Sequence, residues 1–272
     1  MTEWELSERY ETVNLWRAGG AAKIELNRPD SLNSWDTGLS ADLLAAHAVV
    51  RDDDGVRAVL LTGAGRAFCS GADLRDITVR QMTPDGHPDL QRALHERYHP
   101  VLVGMRELPK PVVSAVNGPC AGVGMSLALS ADLVYAHPSA YFLLAFVNIG
   151  LVPDGGSSAF VPARIGLARA AELAMLGERL PAEQAAEWGL INGVIEDRRF
   201  DEVVDALLQR LADGATRSYA GAKRQLNAWV YDRLEQQLEL ESSIQQELAA
   251  SGDFTEGVAA FLEKRTAEFS GR

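Results

Sequence analysis

Positive charge is in short supply in this sequence. Against 38 aspartates and glutamates stand 26 lysines and arginines, for a net charge of -12. Phosphate backbones and anionic lipid surfaces attract positive surface, so the bulk charge argues against general nucleic-acid or anionic-membrane binding. It leaves room for a small phosphate-bearing ligand, which a few local arginines or lysines can hold. Cysteine is scarcer still. Cys69 and Cys120 are the two present. Neither sits in a CxxC or a metal-like cluster, and both lie among small residues, the setting of buried free thiols. No metal site is expected, and nothing points to an oxidising compartment. Long apolar runs are missing too. No stretch approaches the roughly 20 residues of a membrane span. The opening MTEWELSERYETV is acidic and polar, without the basic region and apolar core of a secretory signal. The expectation is a cytoplasmic protein with no membrane span and no nucleic-acid partner.

What is there reads as an ordinary globular chain. Its 272 residues are 47% hydrophobic and 24% charged, enough to bury a large core. TVNLWRA and AAKIEL read as two strands joined through Gly19-Gly20. Leu39, Leu43, Ala46 and Val50 repeat at helical spacing, and RDDDG closes that helix. RAVLLTG, PVVSAVNG and DLVYAH read as short buried strands. Strands separated by helices imply an α/β fold with parallel pairing and crossovers. DITVRQMTPDGHPDLQR, Asp76 to Arg92, reads as a mobile loop or lid, or equally as a disordered surface insertion. From about Leu167 the pattern turns helical. Phe200, Val203, Val204, Leu207, Leu208 and Leu211 form one apolar face. RLEQQLELESSIQQELAA reads as a long amphipathic helix. DFTEGVAAFLEKRTAEF reads as a last helix, with Asp253 as its N-cap and its end near Gly271. The expected division is a core over residues 1–200 and a helical C-terminal region over 201–272.

Two segments look built for close backbone approach: GAGRAFCSGADL (Gly63 to Leu74) and NGPCAGVGMSLALSADL (Asn117 to Leu133). Each follows a predicted strand and runs into a helix, where unpaired N-H groups can meet an oxygen bearing negative charge. A dinucleotide fingerprint fails in both at the third glycine, where Leu127 and Phe68 stand. A serine-hydrolase elbow around Ser126 lacks a partner, because His137 is the one histidine after it and lies too near in sequence. One such segment would be read as glycines permitting tight packing. Two with the same context point to a paired oxyanion site. A third stretch, FVNIGLVPDGG (Phe146 to Gly156), places a single carboxylate, Asp154, in an apolar setting. Pro-Asp-Gly is a common turn sequence. A carboxyl group in an apolar pocket is also a proton carrier with a raised pKa. The residues alone leave both open.

At these motifs, together with LNRPDSLNSWD, GERLPAEQAAEWGLINGVI and EGVAAFLEKRTAEF, nearly the whole chain resembles the crotonase superfamily, also called the enoyl-CoA hydratase/isomerase family. The resemblance implies a spiral of repeated ββα units with a helical C-terminal trimerisation region. It implies assembly as a homotrimer or dimer of trimers. It implies an acyl-CoA thioester ligand, with coenzyme A part of the substrate and no separate cofactor. It assigns an oxyanion hole to the backbone N-H groups of Ala72 and Val123, in a loop where the family usually has glycine at the second position. Two such donors would stabilise a thioester enolate. For coenzyme A it implies Arg28, Ser70, Gly71, Asp73, Leu74 and Gly122, with Phe261 and Lys264 in the tail that closes over a neighbouring subunit's nucleotide. Where the family's hydratases carry two glutamates, this chain has Ser126 and Phe146. Asp154 falls where several of its isomerases keep an aspartate. Phe146 and Leu143 would keep water out. The expected activity is therefore an isomerase that shifts a C=C bond, in fatty-acid or aromatic-acid CoA metabolism. The alternatives are an enoyl-CoA hydratase with a displaced acid/base pair and a non-catalytic acyl-CoA-binding protein.

Overall fold

The computed structural model describes residues 2–76 and 82–272. Three antiparallel strands open the chain: β1 (Glu5–Arg9), β2 (Val13–Ala18) and β3 (Ala21–Leu26). The sequence pattern foretells the second and third. It does not foretell β1, whose five residues are all exposed. That strand forms the edge of a sheet, and its Glu5, Glu8 and Arg9 are the charges that keep an edge from pairing with other chains. Helix α1 (Thr37–Asp52) follows, capped by Asp36, whose carboxylate accepts from the Leu39 N-H at 2.8 Å. Its Leu39, Leu43, Ala46 and Val50 are fully buried. Each large apolar side chain so buried stabilises the fold by roughly 1.5–3 kcal/mol.

Strand β4 (Ala58–Gly63) pairs parallel to β3. Helix α2 (His99–Glu107) leads to β5 (Val112–Val116), then β6 (Pro119–Ala121) and α3 (Val123–Leu129). Next come β7 (Leu133–Ala136), β8 (Tyr141–Leu143) and α4 (Ser157–Leu176), which breaks at Gly166. The pair β5-β6 with α3 and the pair β7-β8 with α4 repeat one ββα unit. The first strand of each joins the large sheet, where the order runs β1-β2-β3-β4-β5-β7, and the second joins a small sheet, where β6 pairs with β8. After β4 the chain repeats the move in reduced form, with Cys69 bridging Cys120 of β6. The short β9 (Leu180–Pro181), α5 (Ala182–Glu187) and β10 (Gly193–Val194) complete the sheets. These two strands interrupt the region expected to be wholly helical.

Alternation along the parallel strands sorts their side chains to two faces. Val59 and Leu61 of β4, with Val112 and Val116 of β5, enter the main core. Leu60, Val113 and Ala115 face the other way and are covered by Phe200, Val204 and Leu208 of α6 (Phe200–Asp213). Both faces are covered, so these strands read as near-continuous apolar runs.

Helices α7 (Thr216–Val230), α8 (Leu234–Ala249) and α9 (Gly252–Glu263) end the chain. The cap of α9 is Ser251, not Asp253: the Ser251 hydroxyl accepts from the Phe254 N-H at 3.0 Å. Asp253 instead accepts from the N-H groups of Ser270 and Gly271, tying down the extended tail. The helix stops at Glu263, short of Gly271, because Lys264 turns into the left-handed region. Of Asp76 to Arg92, residues 77–81 lie outside those described. The rest is more regular than the loop expected. Asp76 is helical, Met82 bridges Pro88 across a tight turn, and Asp89 caps a helical turn at Leu90–Ala93. Among the described residues no helix is long and apolar enough to cross a membrane.

Candidate active site

The two glycine-rich segments meet where β4, β5 and β6 end. Carboxyl ends of parallel strands are where α/β sheets bind ligands. The first loop is stitched down by two asparagines. Asn33 donates to the carbonyls of Ala64 and Ala67 at 3.0 and 2.8 Å, and Asn117 donates to those of Gly63 and Gly65 at 2.7 and 2.9 Å. Gly71 and Gly122 then bring the loops into contact. Both have positive φ, +101° and +51°. A Cβ on Gly71 would sit 3.1 Å from the Ala121 carbonyl oxygen, and one on Gly122 would sit 3.7 Å from Gly71 Cα. Glycine alone meets both demands.

This geometry frees two donors. Trp35 N-H donates to Gly71 O, and Asp73 N-H donates to Trp35 O. In that parallel bridge the intervening Ala72 N-H points away from Trp35. Val123 opens α3, so its N-H has no acceptor in its own helix. Neither N-H donates to a backbone carbonyl among the described residues.

Between these loops and α8 lies a cavity of about 220 Å³. It gathers nine of the sequence-predicted residues: Ser70, Gly71, Ala72, Leu74, Gly122, Val123, Phe146, Asp154 and Phe261. Phe261 stands at its exposed edge, 62% accessible. Leu90, Leu94, Leu143 and Leu151 make most of the remaining wall apolar. Three predicted residues fall outside. The Arg28 guanidinium bridges the carboxylates of Asp36 and Asp73 at 3.0 and 3.3 Å, which accounts for both Arg28 and Asp73. Lys264 lies beyond the cavity, at the end of α9.

Asp154 is the one carboxylate among the described residues lining the cavity, and it is only 9% exposed. Its loop is pinned through its main chain: the hydroxyls of Ser126 and Ser157 both donate to the Asp154 carbonyl at 2.8 Å. Ser126, at one hydratase-glutamate position, is thus a loop anchor. Phe146, at the other, closes the cavity above Gly122. The Asp154 side chain has one partner, the Gln245 amide at 2.6 Å from Oδ2, and Oδ1 is buried with none. Burial, reinforced by the nearby Glu241 carboxylate, pushes its pKa up to about 8, against the opposing pull of the Gln245 hydrogen bond. Such a group exchanges protons near neutral pH.

Three wall or second-layer residues escape sequence reading. Tyr98 lines the cavity from a π-helical segment, Leu94–Tyr98, that interrupts the entry to α2. Local π turns are frequent at functional sites, but nothing in LHERY announces one. Gln245 and Glu241 come from α8. The available signal is their spacing: Gln237, Glu241 and Gln245 follow at four-residue steps, in line with buried Leu238 and Ala249. They belong to the inner face although they are polar.

The family described as Enoyl-CoA hydratase/isomerase matches residues 17–272. The 1,2-epoxyphenylacetyl-CoA isomerase of Escherichia coli (strain K12) is 42% identical over 254 residues, 93% of this chain and 96% of that protein. A probable enoyl-CoA hydratase of Rhodobacter capsulatus is 41% identical over 263 residues, 97% of this chain and 99% of that protein. The crystal structure of an enoyl-CoA hydratase from Mycobacterium avium subsp. paratuberculosis K-10 matches with a TM-score of 0.87 at 37% identity, covering 96% of this chain and 100% of that one.

Proposed function

The chain belongs to the enoyl-CoA hydratase/isomerase family, the crotonase superfamily, and from that premise we propose that it is an acyl-CoA isomerase. It moves a C=C bond through a thioester enolate, with Asp154 as the proton carrier. One observation carries the reading: among the described residues, one buried carboxylate with an unpartnered oxygen lines the cavity beside two N-H groups that donate to no backbone carbonyl. The Asp154 carboxylate takes a proton from C2 of a 3-enoyl thioester. The C-H electron pair moves into the thioester, and the negative oxygen is held by the N-H groups of Ala72 and Val123. One such donor is worth about 2.7–4 kcal/mol. The carboxylic acid then returns the proton to C4, and the double bond settles between C2 and C3. Protons and electrons balance, so the cycle needs no cofactor beyond the coenzyme A of the substrate.

Hydration makes a different demand. It needs a base to activate water and an acid to protonate C2. Here the Ser126 hydroxyl is committed to the Asp154 carbonyl, and Phe146 has no polar atom. The acyl group is a fatty or aromatic acid that fits an apolar chamber. For the coenzyme A portion the proposal keeps the backbone of Ser70 to Leu74, Arg28, and the Phe261 and Lys264 tail. Large apolar side chains exposed on α4 and α7, such as Leu167, Met175 and the 85% accessible Trp229, support a trimer or a dimer of trimers. Light scattering checks this, and a monomer across the micromolar range would refute it.

The similarity to a probable hydratase in R. capsulatus favours a second reading, hydration by a displaced acid/base pair. Competing rates separate the two. Crotonyl-CoA hydration should run slower than 3-enoyl-CoA isomerisation by at least about 10²-fold, the low end of what acid-base assistance supplies. Efficient hydration that survives Asp154→Asn would sink the isomerase reading.

A further inference from the structure

The loop that carries Asp154 is gripped by one face of α8. Gln245 uses its whole amide. Its Nε2 donates to the Val152 carbonyl at 3.0 Å and to Asp154 Oδ2 at 2.6 Å, while its Oε1 accepts from the Val152 N-H at 3.5 Å. One turn earlier, Glu241 accepts from the N-H groups of Gly156 and Ser158 at 2.7 and 3.0 Å, and from the Ser158 hydroxyl. Gln237 donates to that same hydroxyl at 2.8 Å. Thus three residues on one stripe hold the segment from Val152 to Ser158, on both sides of the carboxylate.

We propose that Gln245 and Glu241 are opposed positioning residues for Asp154: the amide clamps Oδ2 and favours the charged carboxylate, and the neighbouring carboxylate disfavours it. The clamp also leaves Oδ1 as the free oxygen of a fixed group. This assignment rests on the proton-carrier reading of Asp154 and adds the residues that set its proton affinity. The other titratable groups near Asp154 come from other elements. Tyr98 faces it from the π segment, its phenol held neutral by burial and by Asp154 itself. Around Tyr98 lie Cys69 and the Arg97–Asp76 ion pair at 3.2 Å. None of these is a second acceptor or donor at the Asp154 carboxylate. The balance at that group therefore lies with α8.

A hydrogen bond to the charged form lowers a carboxyl pKa, and a like charge raises it. Gln245→Met keeps the volume and removes the clamp. Glu241→Gln removes the charge and keeps one of the two acceptor oxygens that the loop uses. The test follows the Asp154 carboxyl by carbon-13 NMR through a pH titration, with the signal identified by its loss in Asp154→Asn. Gln245→Met should move the midpoint up by about one pH unit or more, and Glu241→Gln should move it down by a similar amount. Gln245→Glu, which replaces the donor with a like charge, should also move it up and stands in for Gln245→Met if that variant does not fold. The acidic limb of kcat/KM for isomerisation should shift with each midpoint. In Gln245→Met, kcat should fall about tenfold with KM little changed. Midpoints that stay in place, or all move in one direction, overturn the assignment. The titration judges it independently of turnover, whereas full isomerase activity in Asp154→Asn would instead remove the proton-carrier reading.

Discussion

Asp154 and Glu241 are two buried carboxylates at the same loop, and they are treated in opposite ways. Glu241 accepts hydrogen bonds from three donors, two of them main-chain N-H groups. Asp154 accepts from one and keeps an oxygen with no partner. Burial raises both pKa values, to about 7 for Glu241 and about 8 for Asp154. For Glu241 the donors oppose the rise. For Asp154 the Glu241 charge adds to it. A saturated carboxylate holds structure together, and an unsaturated one facing a cavity is free to take a proton from a ligand. The difference separates scaffold from reagent more sharply than burial does.

The largest effect should come from removing the reagent. Asp154→Asn keeps the shape and the Gln245 contact but cannot carry a proton. Isomerase turnover should fall by about 10²–10⁴-fold, while the affinity for a coenzyme A thioester, measured by calorimetry, stays within a few-fold. Wild-type kcat on every isomerised substrate would make Asp154 a turn residue. Removing the scaffold should show the reverse. Glu241→Ala leaves the N-H groups of Gly156 and Ser158 without their acceptor, and each orphaned buried donor costs about 1–3 kcal/mol. A clear drop in urea midpoint is expected, with activity lost only as the loop loosens. Unchanged stability would deny Glu241 its anchoring role.

The pH dependence of stability sharpens the same contrast. A carboxyl whose folded pKa lies above its unfolded value favours folding most when protonated. Asp154 therefore contributes fully below about pH 4, its unfolded range, and that contribution is lost as pH rises through about 8. Glu241 acts in the same sense through about 7. The melting temperature should decline as pH rises across this window, other groups being equal, and the decline should be shallower in Asp154→Asn. Identical slopes for the two proteins would mean that Asp154 is already ionised in the native state at neutral pH.

The sequence made the site legible where backbone geometry restricts residue type. Gly71 and Gly122 must lack a side chain, so the two loops announce themselves, and the parallel strands leading to them are apolar because both faces are covered. Asp154 stands out for a similar reason, as a charge in an apolar run. What failed was reading polarity on a helix. Glu241 and Gln245 look like solvent-facing residues of an amphipathic α8 until the loop beneath them is known. The π turn at Tyr98 depends on tertiary packing, and β1 depends on pairing with β2. The ion pair of Arg28 with Asp73 joins residues 45 positions apart, so sequence alone could not reveal it.

The smallest effect expected is at Ser126, and it bears on which residues are reagents. Family resemblance places it where hydratases carry a glutamate. Its hydroxyl donates to the Asp154 carbonyl, and the Ser157 hydroxyl donates to the same oxygen at the same 2.8 Å. Ser126→Ala removes one of three donors, because the Ser157 N-H also donates to that carbonyl at 3.1 Å. No buried carbonyl is orphaned, and the cavity left is a single oxygen atom in size. The cost should be near that of one ordinary hydrogen bond, about 0.5–1.5 kcal/mol in stability. Isomerase kcat should change by no more than a few-fold, since the Asp154 carboxylate keeps its clamp on Gln245. A proton-transfer role would show as a loss of about 10²-fold or more. That result, with stability intact, would move Ser126 from the scaffold to the chemistry and revive a two-group mechanism at this site.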